Sequence, residues 1–419
     1  MNKAREQLNE IEIQCGRRSM QLRFDTDRPV NVITPNNAPS DEASIERSIT
    51  QPIAFPDLES FVADKRKILV VVNDHTRPTP APAVLGLLGL EGKEVTTIVA
   101  TGSHRSPTPE EISRLLGGPT PQYGGKVVVH DSKNPKLLKS VGETSRGTKL
   151  SLNAYLFDAD GIIVVGSVEP HYFAGFTGGR KFLLPGLAGF DSIRKNHSFA
   201  VDERASVLSL DKNPVHEDFM EALELFGRND DIFSIQMVLN GDHQVSYTSS
   251  GHIINSFTAA VEHAKEIYGS PVSEKADIVI SVLKPPMDID LYQSQKGIDN
   301  VKLALNDGGV LILVSSCRDG IGDRGFYEIL LSGKDVSKEK PENYGFGFHK
   351  AVKINELLRR VKIFAVTDLP SKILEAISIT PYTDLQKAMT EATKLRGEKS
   401  RVLIVRDAGL VVPLPPQTP

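Results

Sequence analysis

Three histidines stand where the sequence predicts functional groups. His104 and His171 each come shortly after a β-branched run typical of a buried strand, and His197 lies in a polar stretch at 194–198. Functional side chains of α/β proteins collect at the carboxyl ends of strands. One such histidine is usually an ordinary hydrogen-bonded loop residue. Because imidazole titrates near neutral pH, two can form a matched acid–base pair, and a third can bind a metal through a neutral ring nitrogen.

A glycine-rich stretch at 166–189 surrounds Lys181 and is the strongest local signal. Lys181 is followed by Phe182 where a Walker loop needs Ser or Thr, and no GxGxxG follows a strand, which argues against both nucleotide motifs. A glycine-rich turn that merely packs is the plain alternative, but it gives no reason for a lysine. A lysine amine held in such a pocket acts as a covalent catalyst or a cofactor tether. Some of the glycines allow close approach of the backbone to a ligand, with peptide N–H groups that cradle an anion: Gly175, Gly178, Gly179, Gly186 and Gly189.

Two further segments carry polar groups suited to anionic ligands. In the loop at 72–80, Asp74 can accept from ribose-type hydroxyls, while Thr76 and Arg77 can bind phosphate or a carboxylate. A helix-capping turn would look the same, and His75 more simply serves that turn. In the second half, Gln293 and Lys296 occur together and could hold a substrate carboxylate, although polar helix starts often share this pattern.

The elements that must position these residues are buried strands alternating with helices. Continuous β-branched runs suit strands covered on both faces, as in parallel sheets, and helical periods lie between them. We predict an α/β fold of two domains with mainly parallel sheets, residues 1–268 and 269–419, with the active site in the interdomain cleft. The tail after residue 412 could pack back on the first domain. The polar stretch at 31–48 is predicted to be a loop or a short meander outside the core, and 332–344 a solvated helix and loop.

Composition excludes several classes of protein. A net charge of −4 over 419 residues argues against nucleic-acid binding. No apolar run is long enough to span a bilayer, and the N-terminus lacks the apolar core of a secretory signal, so no membrane partner is expected. The two cysteines, Cys15 and Cys317, are far apart, which supports neither a disulfide framework nor a thiolate zinc site. A cytoplasmic location is therefore expected.

Together these segments resemble the nickel-pincer lactate racemase family. The matching pieces occur in the family's order, and their joint match is far more specific than any one of them: DHTRP at 74–78, TGSHR at 101–105, EPHYFAGFTGGRKFLLPG at 169–186, NH at 196–197, YQSQK at 292–296 and SCRDGIG at 316–322.

The resemblance implies a cofactor and assigns its contacts. The cofactor would be nickel pyridinium-3,5-bisthiocarboxylic acid mononucleotide, tethered through Lys181, with its nickel bound by His197. His104 and His171 would be the two catalytic bases, one for each face of the substrate. The other contacts with the cofactor would come from Asp74, Thr76, Arg77, Gly178, Gly179 and Arg180. The contacts with the substrate would come from Arg77, Gln293 and Lys296.

The implied reaction inverts C2 of a 2-hydroxy acid by reversible hydride transfer through a 2-oxo acid, with separate biosynthesis enzymes loading the cofactor. The segment at 346–350 departs from the bulky aromatic of lactate-specific members, so malate, 2-hydroxyglutarate, longer aliphatic acids and sugar acids stay open beside lactate. A cofactor carrier without turnover is the main alternative, but it would not need paired bases. A nicotinamide dehydrogenase lacks its glycine fingerprint here, and a zinc hydrolase lacks HExxH.

Overall fold

The computed structural model describes residues 10–16, 18–24, 27–333 and 347–416. The strands are β1 Glu10–Cys15, β2 Arg18–Arg23, β3 Val30–Ile33, β4 Lys67–Asn73, β5 Glu94–Ala100, β6 Lys126–Val129, β7 Leu138–Glu143, β8 Lys149–Asn153, β9 Gly161–Ser167, β10 Pro170–His171, β11 Gly175–Phe176, β12 Ile232–Leu239, β13 Val245–His252, β14 Gly269–Pro271, β15 Ala276–Val282, β16 Leu305–Val314, β17 Lys362–Val366, β18 Thr380–Tyr382, β19 Val402–Arg406 and β20 Val412–Leu414.

The helices alternate with these strands through most of the chain. They are α1 Ala43–Thr50, α2 Leu58–Ala63, α3 Ala81–Leu85, α4 Pro109–Leu116, α5 Tyr155–Asp158, α6 Phe190–Ser198, α7 Pro214–Phe226, α8 Ile253–Tyr268, α9 Leu291–Val301, α10 Arg324–Ser332, α11 Phe348–Leu358, α12 Ser371–Glu375 and α13 Leu385–Arg396. Short 3-10 turns lie at Pro135–Leu137, Gly179–Phe182, Phe199–Val201, Asn229–Asp231 and Lys302–Ala304. None of the helices described here is both long and apolar enough to cross a membrane.

The chain divides into a middle unit, Asn36–Ile267, and a terminal unit formed by Met1–Pro35 with Tyr268–Pro419. The middle unit contains a sheet in the order β13-β12-β9-β4-β5-β6. Its pairs are parallel except β12 with β13, which are antiparallel. Every residue of β9 is buried, because hydrophobic clusters cover both faces of this sheet.

The terminal unit contains a second sheet, in the order β18-β17-β16-β15-β19-β3, whose pairs are all parallel. Apolar side chains of β15 and β16 alternate between two core clusters, one on each face. A hairpin of β1 and β2 packs in the second cluster through Ile11, Ile13 and Leu22. Both units therefore confirm the predicted α/β class with mainly parallel sheets.

The N-terminal segment corrects two expectations. Val30–Ile33 pairs with Val402–Val405 at the edge of the terminal sheet, so the first residues do not belong to the same unit as residues 36–267. The stretch at 31–48 is a loop only in its middle, since it begins in β3 and ends in α1. A four-residue strand with one polar residue gives little local signal, and its partner lies more than 360 residues away.

The end of the chain remains with the terminal unit. Val412–Leu414 pairs in parallel with Gly269–Pro271, so this part of the tail belongs to the terminal unit. The predicted solvated segment at 332–344 lies almost entirely outside the described residues.

Candidate functional site

Three neighbouring strands of the middle sheet end at one edge and carry the predicted residues. β9, β4 and β5 are adjacent and parallel, so the loops that follow Ser167, Asn73 and Ala100 emerge together. These loops hold His171, Asp74 and His104. The sheet therefore brings together groups that are separated by up to 97 positions in the printed sequence.

His104 and Asp74 form the closest polar pair at this edge. Nδ1 of His104 lies 2.6 Å from Oδ2 of Asp74, and Oδ1 of the same carboxylate accepts from the Thr76 hydroxyl at 2.8 Å. Burial opposes ionisation of Asp74, but His104, Arg77 and Thr76 outweigh it and lower the pKa of Asp74. An ionised carboxylate cannot donate, so the Nδ1 proton belongs to His104 when its ring is neutral. Its Nε2 then carries a lone pair, as a general base requires.

Arg77 is half-buried and lies beside Asp74, whose backbone oxygen accepts from the Arg77 N–H at 3.2 Å. Within the described residues, the guanidinium has no hydrogen bond or ion pair with another side chain. A guanidinium that no other side chain engages can donate two hydrogen bonds to one carboxylate or phosphate. The predicted ribose contact of Asp74 stays a prediction, since the structure shows its carboxylate engaged by His104 and Thr76.

His171 lies in the two-residue strand β10, which pairs with β11. Its Nδ1 accepts from the backbone N–H of Ala174 at 3.3 Å. The ring stacks on Tyr172, with centroids 5.1 Å apart, and meets the edge of Phe173 at 4.5 Å. Because Nδ1 is the acceptor, a neutral His171 carries its proton on Nε2, the tautomer opposite to that of His104.

Lys181 and His197 both lie beside the ring of Phe173. Nζ of Lys181 is 5.7 Å from the centroid of Phe173 and 5.6 Å from that of Phe219, while the His197 ring meets Phe173 at 5.0 Å. Burial, followed by the charges of Lys181 and His104, lowers the pKa of His197 to about 3. The structure thus places the predicted tether, metal ligand and first base in one neighbourhood.

The glycines of the 166–189 stretch serve packing against the protein itself. A Cβ on Gly178 would lie 2.6 Å from Oε1 of Gln236, and one on Gly179 would lie 2.5 Å from the ring of Phe257. The peptide N–H of Gly179 donates to Gln236 at 2.8 Å. Gly178 and Gly179 have φ values of +77° and +51°, which side chains rarely adopt. The predicted contact of these two glycines with the cofactor stays a prediction, while Gln236 and Phe257 fill the space that a side chain at either position would need.

Arg180 also faces the protein and not an open site. It is 1% exposed, and its guanidinium donates to Nδ1 of His216 at 3.0 Å, to the Phe176 carbonyl at 3.0 Å and to the Ala174 carbonyl at 2.8 Å. The Phe257 ring lies 4.4 Å from it. Burial lowers the pKa of Arg180 to about 9. This side chain holds the loop between His171 and Lys181, and its predicted contact with the cofactor stays a prediction.

The residues around His197 include a network that the sequence reading missed. Asn196 and Asp218 are each fully buried, and Nδ2 of Asn196 donates to Oδ2 of Asp218 at 2.8 Å. Oδ1 of Asn196 lies 3.2 Å from Nδ1 of His197. Asn196 is the first residue of the NH motif at 196–197, in which only His197 was predicted to have a role. Asp218 gives no local signal, because it lies in the middle of an amphipathic helix, where an acidic residue is usually solvated.

The terminal unit places Gln293 and Lys296 on the first turns of α9, three residues apart and so on one helix face. The Asp290 side chain caps this helix by accepting from the Gln293 N–H at 2.6 Å. Nζ of Lys296 lies 3.4 Å from Sδ of Met287, a weak acceptor. A second lysine, Lys350, donates to the Tyr292 carbonyl at 2.7 Å, and burial followed by the charge of Lys296 lowers its pKa. An anion bound beside both lysines would stabilise their charged forms.

Among the residues that the structure describes, no three His, Cys, Asp or Glu side chains converge as a metal site. His197 stands as a single candidate ligand. The predicted contacts of Thr76, Arg77, Gln293 and Lys296 with a ligand stay predictions.

Two α/β units with mainly parallel sheets, one of which carries His104 and His171 at the carboxyl edge of its strands, are the architecture of an α/β enzyme. The model of the lactate racemase N-terminal domain matches residues 15–208, and that of the lactate racemase C-terminal domain matches residues 272–412. The chain belongs to the lactate racemase family, which confirms the resemblance. It is 30% identical to the lactate racemase of Thermoanaerobacterium thermosaccharolyticum over 89% of this chain and 90% of that protein. It is 28% identical to that of Lactiplantibacillus plantarum over 90% and 92% of the two chains.

Solved structures show the same architecture. The lactate racemase apoprotein of Thermoanaerobacterium thermosaccharolyticum superposes with a TM-score of 0.89 at 29% identity, covering 97% of this chain and all of that one (100%). A Thermotoga maritima protein shares the fold, with a TM-score of 0.66 at 19% identity over 91% of this chain and 99% of its own. The protein is a racemase.

Proposed function

We propose that the protein inverts C2 of a 2-hydroxy acid through a 2-oxo acid, using a nickel-pincer nucleotide tethered to Lys181. The observation that carries this proposal is the opposite hydrogen bonding of two histidines at one sheet edge. Nδ1 of His104 contacts a buried carboxylate, whereas Nδ1 of His171 accepts from a peptide N–H. The His104 ring therefore presents a lone pair at Nε2, and the His171 ring presents an N–H donor at Nε2, as two opposed groups that exchange protons require.

The chemistry of Lys181 and His197 is suited to hold the nickel-pincer nucleotide. A ligand imidazole needs a lone pair on one nitrogen and a partner for the other, and His197 has Asn196 at Nδ1. Lys181 lies beside aromatic rings, so its amine is held against apolar surface near His197. When bound, the nickel-pincer nucleotide would supply a hydride acceptor that later returns the hydride.

The chain's own residues would move the protons. Nε2 of His104 takes the hydroxyl proton of one enantiomer as C2 is oxidised, and the carboxylate of Asp74 stabilises the imidazolium that forms. His171 would enter the turnover as the imidazolium, give its Nε2 proton to the oxygen as the other face of the planar 2-oxo acid is reduced, and become neutral. The opposite enantiomer uses the same groups in reverse order, so neither ring is consumed over a pair of turnovers.

Cationic groups would hold the substrate carboxylate. Arg77 offers a guanidinium in the middle unit, and Lys296 with Gln293 offers an ammonium and an amide in the terminal unit. Relatives named as lactate racemases support a short 2-hydroxy acid, so lactate is the first substrate to test. The partners we propose are this acid and the biosynthesis enzymes that load the cofactor.

Chiral chromatography of single-enantiomer 2-hydroxy acids with the loaded protein tests the proposal. We expect inversion to a racemic mixture without accumulation of free 2-oxo acid, and no inversion by protein from a host without the loading enzymes. The acids to compare are lactate, malate, 2-hydroxyglutarate, a longer aliphatic acid and a sugar acid. If protein shown by mass to be loaded inverts none of them, the proposal fails and a carrier role takes its place.

A further inference from the structure

Asp218 accepts hydrogen bonds at both carboxylate oxygens inside the middle unit. Oδ1 accepts from the Thr144 hydroxyl at 2.6 Å, and Oδ2 accepts from the Thr148 hydroxyl at 2.9 Å and from Nδ2 of Asn196 at 2.8 Å. The Thr144 oxygen itself accepts from the Thr148 N–H at 3.1 Å. Both threonines lie in the turn between β7 and β8, and Asp218 lies on α7, so three segments meet at this carboxylate.

These contacts determine which way the Asn196 amide faces. Nδ2 donates to the Asp218 carboxylate and also to the Val215 carbonyl at 3.3 Å. Neither acceptor can donate, so Nδ2 and not Oδ1 must lie on that side. Oδ1 therefore faces Nδ1 of His197 at 3.2 Å. A flipped amide would set its oxygen against a carboxylate in a fully buried place, where unpaired acceptors are costly.

The amide orientation in turn determines the tautomer of His197. A carbonyl oxygen cannot donate, so Nδ1 of His197 must carry the proton, and Nε2 keeps the lone pair. We propose that Asp218, acting through Asn196, is a positioning residue that holds His197 in the Nδ1–H tautomer with Nε2 as its metal-binding atom. This inference rests on the proposed function only in giving His197 a metal to bind; the tautomer belongs to the apoprotein.

Asp218→Asn is the direct test, since it keeps the shape and removes one acceptor. An amide at 218 can offer its NH₂ to Asn196, which then gains by flipping and turning its own NH₂ toward His197. Nitrogen NMR of the full chain with ¹⁵N-labelled histidine distinguishes the two tautomers, and His197→Gln assigns the signal. We expect a protonated Nδ1 in the wild type above the ordinary histidine pKa, and a mixed or Nε2–H population in Asp218→Asn.

Thr144→Val is the matched control, because it also removes a hydrogen bond to Asp218 but leaves Asn196 in place. It should lower the midpoint of thermal unfolding without changing the tautomer. If Asp218→Asn fails to fold, Asn196→Leu removes the acceptor beside Nδ1 directly and should free the tautomer. An Nε2–H tautomer in the wild type, or an unchanged Nδ1–H tautomer in whichever of Asp218→Asn and Asn196→Leu is folded, would overturn the inference.

Nickel retention gives the functional readout. In protein loaded with the nickel-pincer nucleotide, Asp218→Asn should keep the covalent mass on Lys181 but lose nickel to a chelator about 10- to 100-fold more readily than the wild type. Equal retention in the two would contradict the positioning role. If the wild type shows the Nδ1–H tautomer yet never takes up the nucleotide, the proposed function fails while the tautomer assignment stands.

Discussion

Nδ1 of His104 lies 2.6 Å from Oδ2 of Asp74, and the two side chains differ sharply in exposure, at 41% and 4% respectively. The carboxylate is thus buried, whereas the ring that it contacts is partly exposed. This arrangement orients a base without placing its negative charge in contact with an anionic substrate.

Asp74→Asn should lower kcat by about 10²- to 10⁴-fold, because an amide lets His104 adopt the wrong tautomer and no longer stabilises the imidazolium. The measurement is kcat and KM with matched cofactor loading. Asp57→Asn is the control, since Asp57 caps α2 of the same unit through an exposed hydrogen bond from the Ser60 N–H, and this change should leave kcat unchanged. Full activity in Asp74→Asn would remove the orienting role.

Lys181→Ala should abolish covalent attachment of the nucleotide, since no amine remains at this position. Intact-protein mass spectrometry after exposure to the loading enzymes measures the attachment. Lys181→Arg is the control that keeps the positive charge but not the primary amine, and it should also stay unmodified. A mass increase in either variant equal to that of the wild type would place the tether elsewhere.

Arg180→Gln should lower the free energy of unfolding by at least about 2 kcal/mol, because the carbonyls of Ala174 and Phe176 lose their donor in a buried place. Denaturant unfolding of the apoprotein measures this. Arg194→Gln breaks only an exposed pair with Asp191 and should cost less than about 0.5 kcal/mol. Equal effects in the two variants would contradict the assignment of Arg180 as the residue that holds the loop.

His216 predicts a pH dependence of stability. Burial, followed by the charge of Arg180, lowers the pKa of His216 from 6.5 to about 3, so the folded state resists protonation that the unfolded state accepts. Stability should therefore fall as the pH drops below about 6.5 and continue to fall toward about 3.

Denaturant unfolding of the apoprotein at a series of pH values checks this. His216→Gln should flatten the decline, because a glutamine can still accept from Arg180 but does not titrate. The exposed His243 serves as a control, and His243→Gln should leave the decline as it is. A wild-type stability that rises on acidification through this range would contradict the assignment.

Lys296→Met should raise KM for the substrate about 10- to 100-fold, as expected for loss of a charge-assisted hydrogen bond to a carboxylate. Its effect on kcat should be smaller. Lys302→Met is the control, since Lys302 lies on the next turn and pairs with Asp299. An unchanged KM in Lys296→Met would remove this lysine from the carboxylate site.

The sequence by itself determined the α/β class, because β-branched runs and helical periods are local patterns that survive in any α/β arrangement. It also determined the family, through motifs whose order and joint occurrence are specific. The histidines at 104 and 171 were found for the same reason, since each directly follows a recognisable strand. Each of these signals is contained in a short segment of the chain.

Only the tertiary structure decided what the motif residues touch. The glycines at 178 and 179 admit either a ligand or a neighbouring side chain, and the structure fills that space with Gln236 and Phe257. Arg180 donates to buried carbonyls and to His216, and Asp218 accepts from Asn196, which lies on another helix. The type of a side chain determines what it can bind. Its actual partner depends on how segments that are distant in sequence pack together, and no local pattern in the sequence contains that information.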